Sequence, residues 1–132
     1  MGVDMKIRTI TPPRQFTTGR RKDVQMRDCA HIRLAPDEQV TLLTDAGAEY
    51  DVARKSWGFY ATPSINGRLA GFGLRAALLR STIGRYFIVL IEDGREAEYA
   101  AYLRSERLTE VCRLDEDALD AIASAEAAHE CG

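Results

Sequence analysis

The residues best suited to chemistry lie in one stretch, Ser56-Trp57-Gly58-Phe59-Tyr60-Ala61-Thr62-Pro63-Ser64-Ile65-Asn66-Gly67-Arg68-Leu69. It holds the only tryptophan and two further aromatics, followed by Thr62, Ser64, Asn66 and Arg68. Rings stack on sugar or base faces, hydroxyls and amides fix orientation, and a guanidinium pairs with phosphate. The expected ligand is therefore a sugar or a nucleotide, and the candidate binding residues are Trp57, Tyr60, Ser64, Asn66 and Arg68. In a strand, Trp57, Phe59 and Ala61 would face one way and Gly58, Tyr60 and Thr62 the other. One row can then serve a core, the plain reading of Trp57 and Phe59, while Asn66-Gly67 is equally a simple turn.

Other chemistries find less support. Gly67, Gly71 and Gly73 form neither a dinucleotide fingerprint nor a phosphate loop, so they read as bulges or points of close backbone packing. Cys29-Ala30-His31 and His129-Glu130-Cys131 pair metal-ligating types, but their spacing fits no common zinc module; no metal and no cofactor is expected. Nucleophilic catalysis lacks an elbow motif. Asp45, Glu49, Asp51 and Glu92 are the acids available for proton transfer, and all are ordinary at turns and strand ends. Catalytic residues are therefore unassigned.

Charge is unevenly spread. Residues 1–35 carry eight Lys/Arg against three Asp/Glu, and residues 92–132 carry four against twelve. This describes two solvated faces, two ends that touch, or a basic end that meets an acidic partner. The basic group Arg14, Arg20, Arg21, Lys22 and Arg27 could meet phosphate. The chain is acidic overall and has no helix-turn-helix or RNA-recognition signature, so nucleic acid is not the expected partner. Three cysteines without close even spacing describe a reducing compartment. With no signal-like start and no apolar run of membrane length, the expected location is cytoplasmic, without membrane insertion.

The elements that must position these residues are strands first and helices later. Lys6–Ile10 alternates as a strand that Thr11-Pro12-Pro13 should stop, because proline cannot donate to a ladder. Much of Phe16–Arg27 then reads as loop, and Cys29–Leu34 as another strand. Val40–Leu43 and Glu49–Ala53 flank the turn Asp45-Ala46-Gly47 as a hairpin. Trp57–Thr62 is a further strand. Phe72–Arg80 and Arg85–Ile91 form a second hairpin, whose apolar second strand is expected at the sheet centre. Asp93 and Glu96 suggest a capping box for a helix to Glu106, with Tyr99, Ala100 and Leu103 facing inward. Leu108–Leu114 is a strand, and Asp115 caps a last, Ala-rich helix. The fold class is α+β, mainly antiparallel, with a β-rich N-terminal half and a β-β-α-β-α C-terminal half. The length suits one domain over 1–132, with 1–4 and 129–132 frayed.

The block Trp57–Leu69, continuing through Phe72-Gly73-Leu74-Arg75-Ala76-Ala77-Leu78, resembles small uncharacterised bacterial proteins of surface-polysaccharide and sugar-nucleotide gene clusters. Arg85-Tyr86-Phe87-Ile88-Val89-Leu90 and the acidic helix after it are similar too, so the resemblance spans about Val40 to Asp115. It implies a biological context and no reaction or catalytic residue. Three functions follow as expectations. The first is a non-catalytic accessory or ligand-binding protein of surface-polysaccharide or sugar-nucleotide metabolism. The second is a small enzyme acting on a sugar or nucleotide. The third is a protein-interaction domain that forms a homodimer through an open sheet edge.

Overall fold

A computed structural model describes residues 6–131, with side chains through residue 127. Residues 1–4, and the side chains of His129 and Cys131, lie outside the described residues. The described residues fold into eight strands and three helices: β1 Lys6–Thr18, β2 Val24–Arg33, β3 Gln39–Leu43, β4 Glu49–Lys55, β5 Gly58–Ala61, α1 Arg68–Gly71, β6 Leu74–Arg80, β7 Tyr86–Glu92, α2 Glu96–Glu106, β8 Thr109–Arg113 and α3 Glu116–Cys131. They form three sheets, ordered β1-β2, β3-β4-β5 and β7-β6-β8. The architecture is α+β, with strands leading and a β-β-α-β-α second half. The chain divides into two compact units, Met1–Leu42 with Asp51–Thr62, and Leu43–Tyr50 with Pro63–Gly132.

In the first unit, β1 and β2 make a long antiparallel ribbon. The two prolines do not end β1, contrary to the sequence reading. Thr9 pairs with Ala30 and Arg14 with Asp28, so residues 10–13 bulge out opposite Cys29 alone. Prolines inside a bulge owe no ladder hydrogen bond, which is why the strand survives them. Much of the expected loop before Cys29 is therefore strand, and the turn is confined to Gly19–Asp23, where Gly19 has φ 93°. The second sheet closes β4 onto β5 through a two-residue turn, Ser56-Trp57, with Lys55 opposite Gly58. The unit's one buried side chain among those described is Asp51, whose Oδ1 accepts the Thr41 hydroxyl at 2.7 Å.

The second unit holds the apolar core. Ala48, Leu69, Leu74 and Ala76 pack with Tyr50, Leu90 and Leu114. Ala77, Leu79 and Ile91 pack with Val89, Tyr99, Leu103 and Leu108, which brings in the inward face of α2. β6 is the central strand, and β7 lies at the edge, correcting the expectation that β7 sits centrally. An apolar strand signals that its two faces need cover; it carries no information about which edges are paired. β7 has that cover over Val89–Ile91, while Tyr86, Phe87 and Ile88 are exposed. The chain leaves β7 through α2 and returns as β8 on the far edge of β6, where the pairing is antiparallel. A partnership with β7 itself would have been parallel, the slightly weaker arrangement.

The two helix starts differ. Asp115 Oδ1 accepts the Ala118 N–H at 2.9 Å, the cap read from the sequence. The capping box at α2 does not form: the N-cap is Arg95, whose side chain caps no helical N–H. Glu96 instead receives two hydrogen bonds from Arg113, at 3.0 and 2.8 Å. A paired guanidinium is a stronger donor to a carboxylate than a single backbone N–H. Asp93 lies 3.6 Å from Arg75, and its N–H donates to Gly73.

Candidate functional site

The five candidate residues fall in both units, Trp57 and Tyr60 in the first and Ser64, Asn66 and Arg68 in the second. Trp57 is 69% exposed, Phe59 66% and Tyr60 52%. None of the three is core, which removes the plain reading of Trp57 and Phe59. The alternation expected of the row also fails at its first member. Trp57 occupies the turn ahead of β5, so strand facing does not bind it, and its ring meets that of Tyr60 edge-on with centroids 6.4 Å apart.

Ser64, Asn66 and Arg68 surround the start of α1, a four-residue helix absent from the sequence reading. The Ser64 hydroxyl accepts the Arg68 N–H at 3.0 Å, and its carbonyl accepts the N–H groups of Gly67 and Leu69. A Cβ at Gly67 would stand 2.5 Å from Ser64 Oγ, so a larger residue there would push the Ser64 side chain off its contact with Arg68. Ser64 thus organises the turn, which seats Leu69 in the core. The Arg68 guanidinium lies over the Phe72 ring at 5.2 Å.

Asn66 alone of the five lines the recess of the second unit. This recess has a volume of about 410 Å³ and is bounded by Ile65, Asn66, Ala70, Arg75, Ala76, Arg113, Leu114, Asp115 and Glu116. Its size falls in the range of small-molecule sites. Apolar wall comes from Ile65, Ala70, Ala76 and Leu114. The polar members of the lining are Asn66, Arg75, Arg113, Asp115 and Glu116. The Asn66 amide donates to Glu116 Oε2 at 2.8 Å, joining the α1 turn to the first turn of α3.

Arg113 is fixed by ion pairs. It donates to Glu110 at 2.8 Å and to both Glu96 oxygens. The hydrogen bonds to Glu96 and Glu110 push its pKa up, so it stays charged. Those same bonds hold the Glu96 carboxyl below its ordinary value. Burial pushes Glu110 up, but the Arg113 guanidinium and the Tyr99 hydroxyl together outweigh it and bring it below. Tyr99, donating to Glu110 at 2.7 Å, is pushed to about 12 by burial first and by that carboxylate second. Arg75 is more open, with its nearest carboxylate at 3.6 Å.

Arg75, Arg113, Asp115 and Glu116 are site residues that the sequence reading missed. Asp115 and Glu116 were legible only as a helix start. The two arginines stand 38 positions apart in the chain and come to one recess only once β8 pairs with β6. The acids singled out for proton transfer do not gather there: Asp51 is buried in the first unit, and Glu92 accepts from the Thr44 hydroxyl with Arg95 at 3.7 Å. Among the described residues, no group of three His, Cys, Asp or Glu side chains could hold a metal. His31 lies 2.9 Å from Arg8 and 3.0 Å from Asp28, and the exposed Cys29 thiol meets the Arg27 carbonyl at 3.5 Å. No helix among the described residues is long and apolar enough to cross a membrane.

Fold and site together define an α+β chain with a small, polar-rimmed recess at the start of its last helix. Compared with protein-family models, with curated protein sequences and with solved structures, the chain matches none.

Proposed function

We propose that the chain is a non-catalytic binding module for a sugar-containing ligand, serving surface-polysaccharide or sugar-nucleotide metabolism. The observation that carries this reading is the recess of about 410 Å³, whose lining combines the polar residues Asn66, Arg75, Arg113, Asp115 and Glu116 with the apolar Ile65, Ala70, Ala76 and Leu114. Planar polar side chains hold neighbouring hydroxyls in pairs, and an exposed guanidinium such as Arg75 can donate to a phosphate. The shifted carboxylates next to the recess, Glu96 and Glu110, are both lowered. A general acid needs a raised pKa, so these two carboxylates, already held by Arg113, are not suited to that role. The biological context rests on the resemblance of Trp57–Leu78 and Arg85–Leu90 described above.

The test is titration of the full chain with monosaccharides, sugar 1-phosphates and nucleoside diphosphate sugars, followed by amide chemical shifts. Saturable shifts at Ile65, Asn66, Ala70 and Leu114–Glu116 are expected, with affinity lowered about tenfold in Arg75→Ala, as for one lost charged hydrogen bond. No saturable shift with any of the three ligand classes would overturn the reading. Turnover of a ligand would replace it with the enzyme alternative.

A further inference from the structure

We propose that β7 pairs with β7 of a second copy of this chain, antiparallel about Val89, to form one six-stranded sheet across a twofold axis. The first observation is the edge itself. One side of β7 is fully paired, from Leu74 opposite Glu92 to Arg80 opposite Tyr86. Among the described residues, no strand pairs with its other side. An edge strand exposes a row of unpaired N–H and C=O groups, and proteins usually protect it with charge, proline or a bulge. β7 has none of these within Tyr86–Ile91. Instead it exposes Tyr86 (59%), Phe87 (50%) and Ile88 (60%) in succession, which leaves apolar surface on both faces of the sheet at once.

The second observation is that the strand is complementary to itself. Antiparallel pairing with a twofold normal to the sheet requires one residue on the axis, because only then does each side chain meet a partner on its own face. With Val89 on the axis, Phe87 stands opposite Ile91 and Ile88 opposite Leu90. Tyr86 stands opposite Glu92, within reach of a hydroxyl-to-carboxylate hydrogen bond. Arg85 stands opposite Asp93, and the symmetry makes each of these pairs twice. The neighbouring registers lose this match. An axis at Leu90 sets Arg85 against Arg95 and Phe87 against Asp93. An axis at Ile88 sets Ile83 against Asp93 and leaves Arg85 facing Ile91. Opposite charges across a strand pair stabilise it and like charges oppose it, so the sequence of β7 favours one register and a second copy of itself as partner.

Sedimentation equilibrium on the full chain tests this. A reversible dimer is expected at micromolar to millimolar concentration. Arg85→Asp sets a carboxylate against Asp93 twice and should raise the dissociation constant about tenfold, while Arg85→Asp combined with Asp93→Arg should recover it to within about threefold. Recovery in the double variant separates a broken interface from a broken fold. A chain that stays monomeric at roughly millimolar concentration overturns the proposal. So does a dimer whose constant ignores Arg85→Asp, or one that the double exchange fails to restore.

Discussion

The two units are stabilised by different means. Among the described residues, every buried apolar side chain belongs to the second, where Ala77 and Leu79 on β6 are sealed at 0% and 1% exposure. Among its described residues, the first unit has one buried side chain, and it is a carboxylate, Asp51. Its ribbon of β1 and β2 exposes Ile7 and Ile32 as one opposing pair, and Phe16 and Met26 as another. Both units are rich in strand, so the contrast does not come from secondary structure. It comes from what covers the β7-β6-β8 sheet: α2 packs against Ala77, Leu79 and Ile91, and Ala48 and Leu69 pack against Leu74 and Ala76. Cross-strand pairs without such a layer supply only a fraction of a kcal/mol each, and a two-stranded ribbon is marginal by itself.

The sharpest way to break that comparison is at the core of the second unit. Leu79→Ala leaves a cavity between β6 and α2 and should cost about 2–5 kcal/mol, read from urea unfolding by circular dichroism in the helix band. A loss well under that range would mean that the core does not hold the unit together.

The next effect concerns the ion pairs that clamp α2 to β8. Glu110→Gln removes the charge that both Arg113 and Tyr99 address and should cost about 1–2 kcal/mol at neutral pH. The sign of the pH dependence follows from the lowered carboxyls. Their contribution is complete above the ordinary carboxylate range and is lost as pH falls through the lower, folded-state values of Glu96 and Glu110. Tyr99 acts at the other end. With its pKa raised to about 12, its contribution is complete below the ordinary tyrosine value near 10 and is lost between the two. Thermal midpoints measured against pH should therefore fall at both extremes, and the acid limb should flatten in Glu110→Gln.

The smallest effect is expected on the ribbon. Phe16→Ser removes a ring that is 39% exposed and stacked under Arg14 at 4.8 Å. Stability should change by no more than about 0.5 kcal/mol. Hydrogen exchange completes the comparison: β1 and β2 amides should exchange well before those of β6, and equal protection would erase the distinction between the units.

Much of the architecture was legible in the sequence because it is local. The turn at Asp45–Gly47, the Asp115 cap and the inward positions of α2 all follow from residues within a few places of each other, where propensity and hydrogen-bonding reach act directly. The misreadings have one origin. Pro12 and Pro13 look like a stop until a partner strand allows a bulge. Asp93 and Glu96 look like a capping box until Arg75 and Arg113 compete for their carboxylates. The candidate site behaved in the same way. Asn66 was readable as a polar loop residue, whereas Arg75, Arg113 and Glu116 acquired meaning only with the pairing of β8 onto β6.

The sequence by itself determined the α+β class, the β-β-α-β-α order of the second half and the Asp115 helix start, since each is written in neighbouring residue types. Only the tertiary structure decided that β6 is central and β7 lies at the edge, that Trp57 stands in solvent, and that two distant arginines share a recess. The physical reason is that periodicity records which faces need cover, while edge pairing and long-range charge contacts depend on where the chain returns.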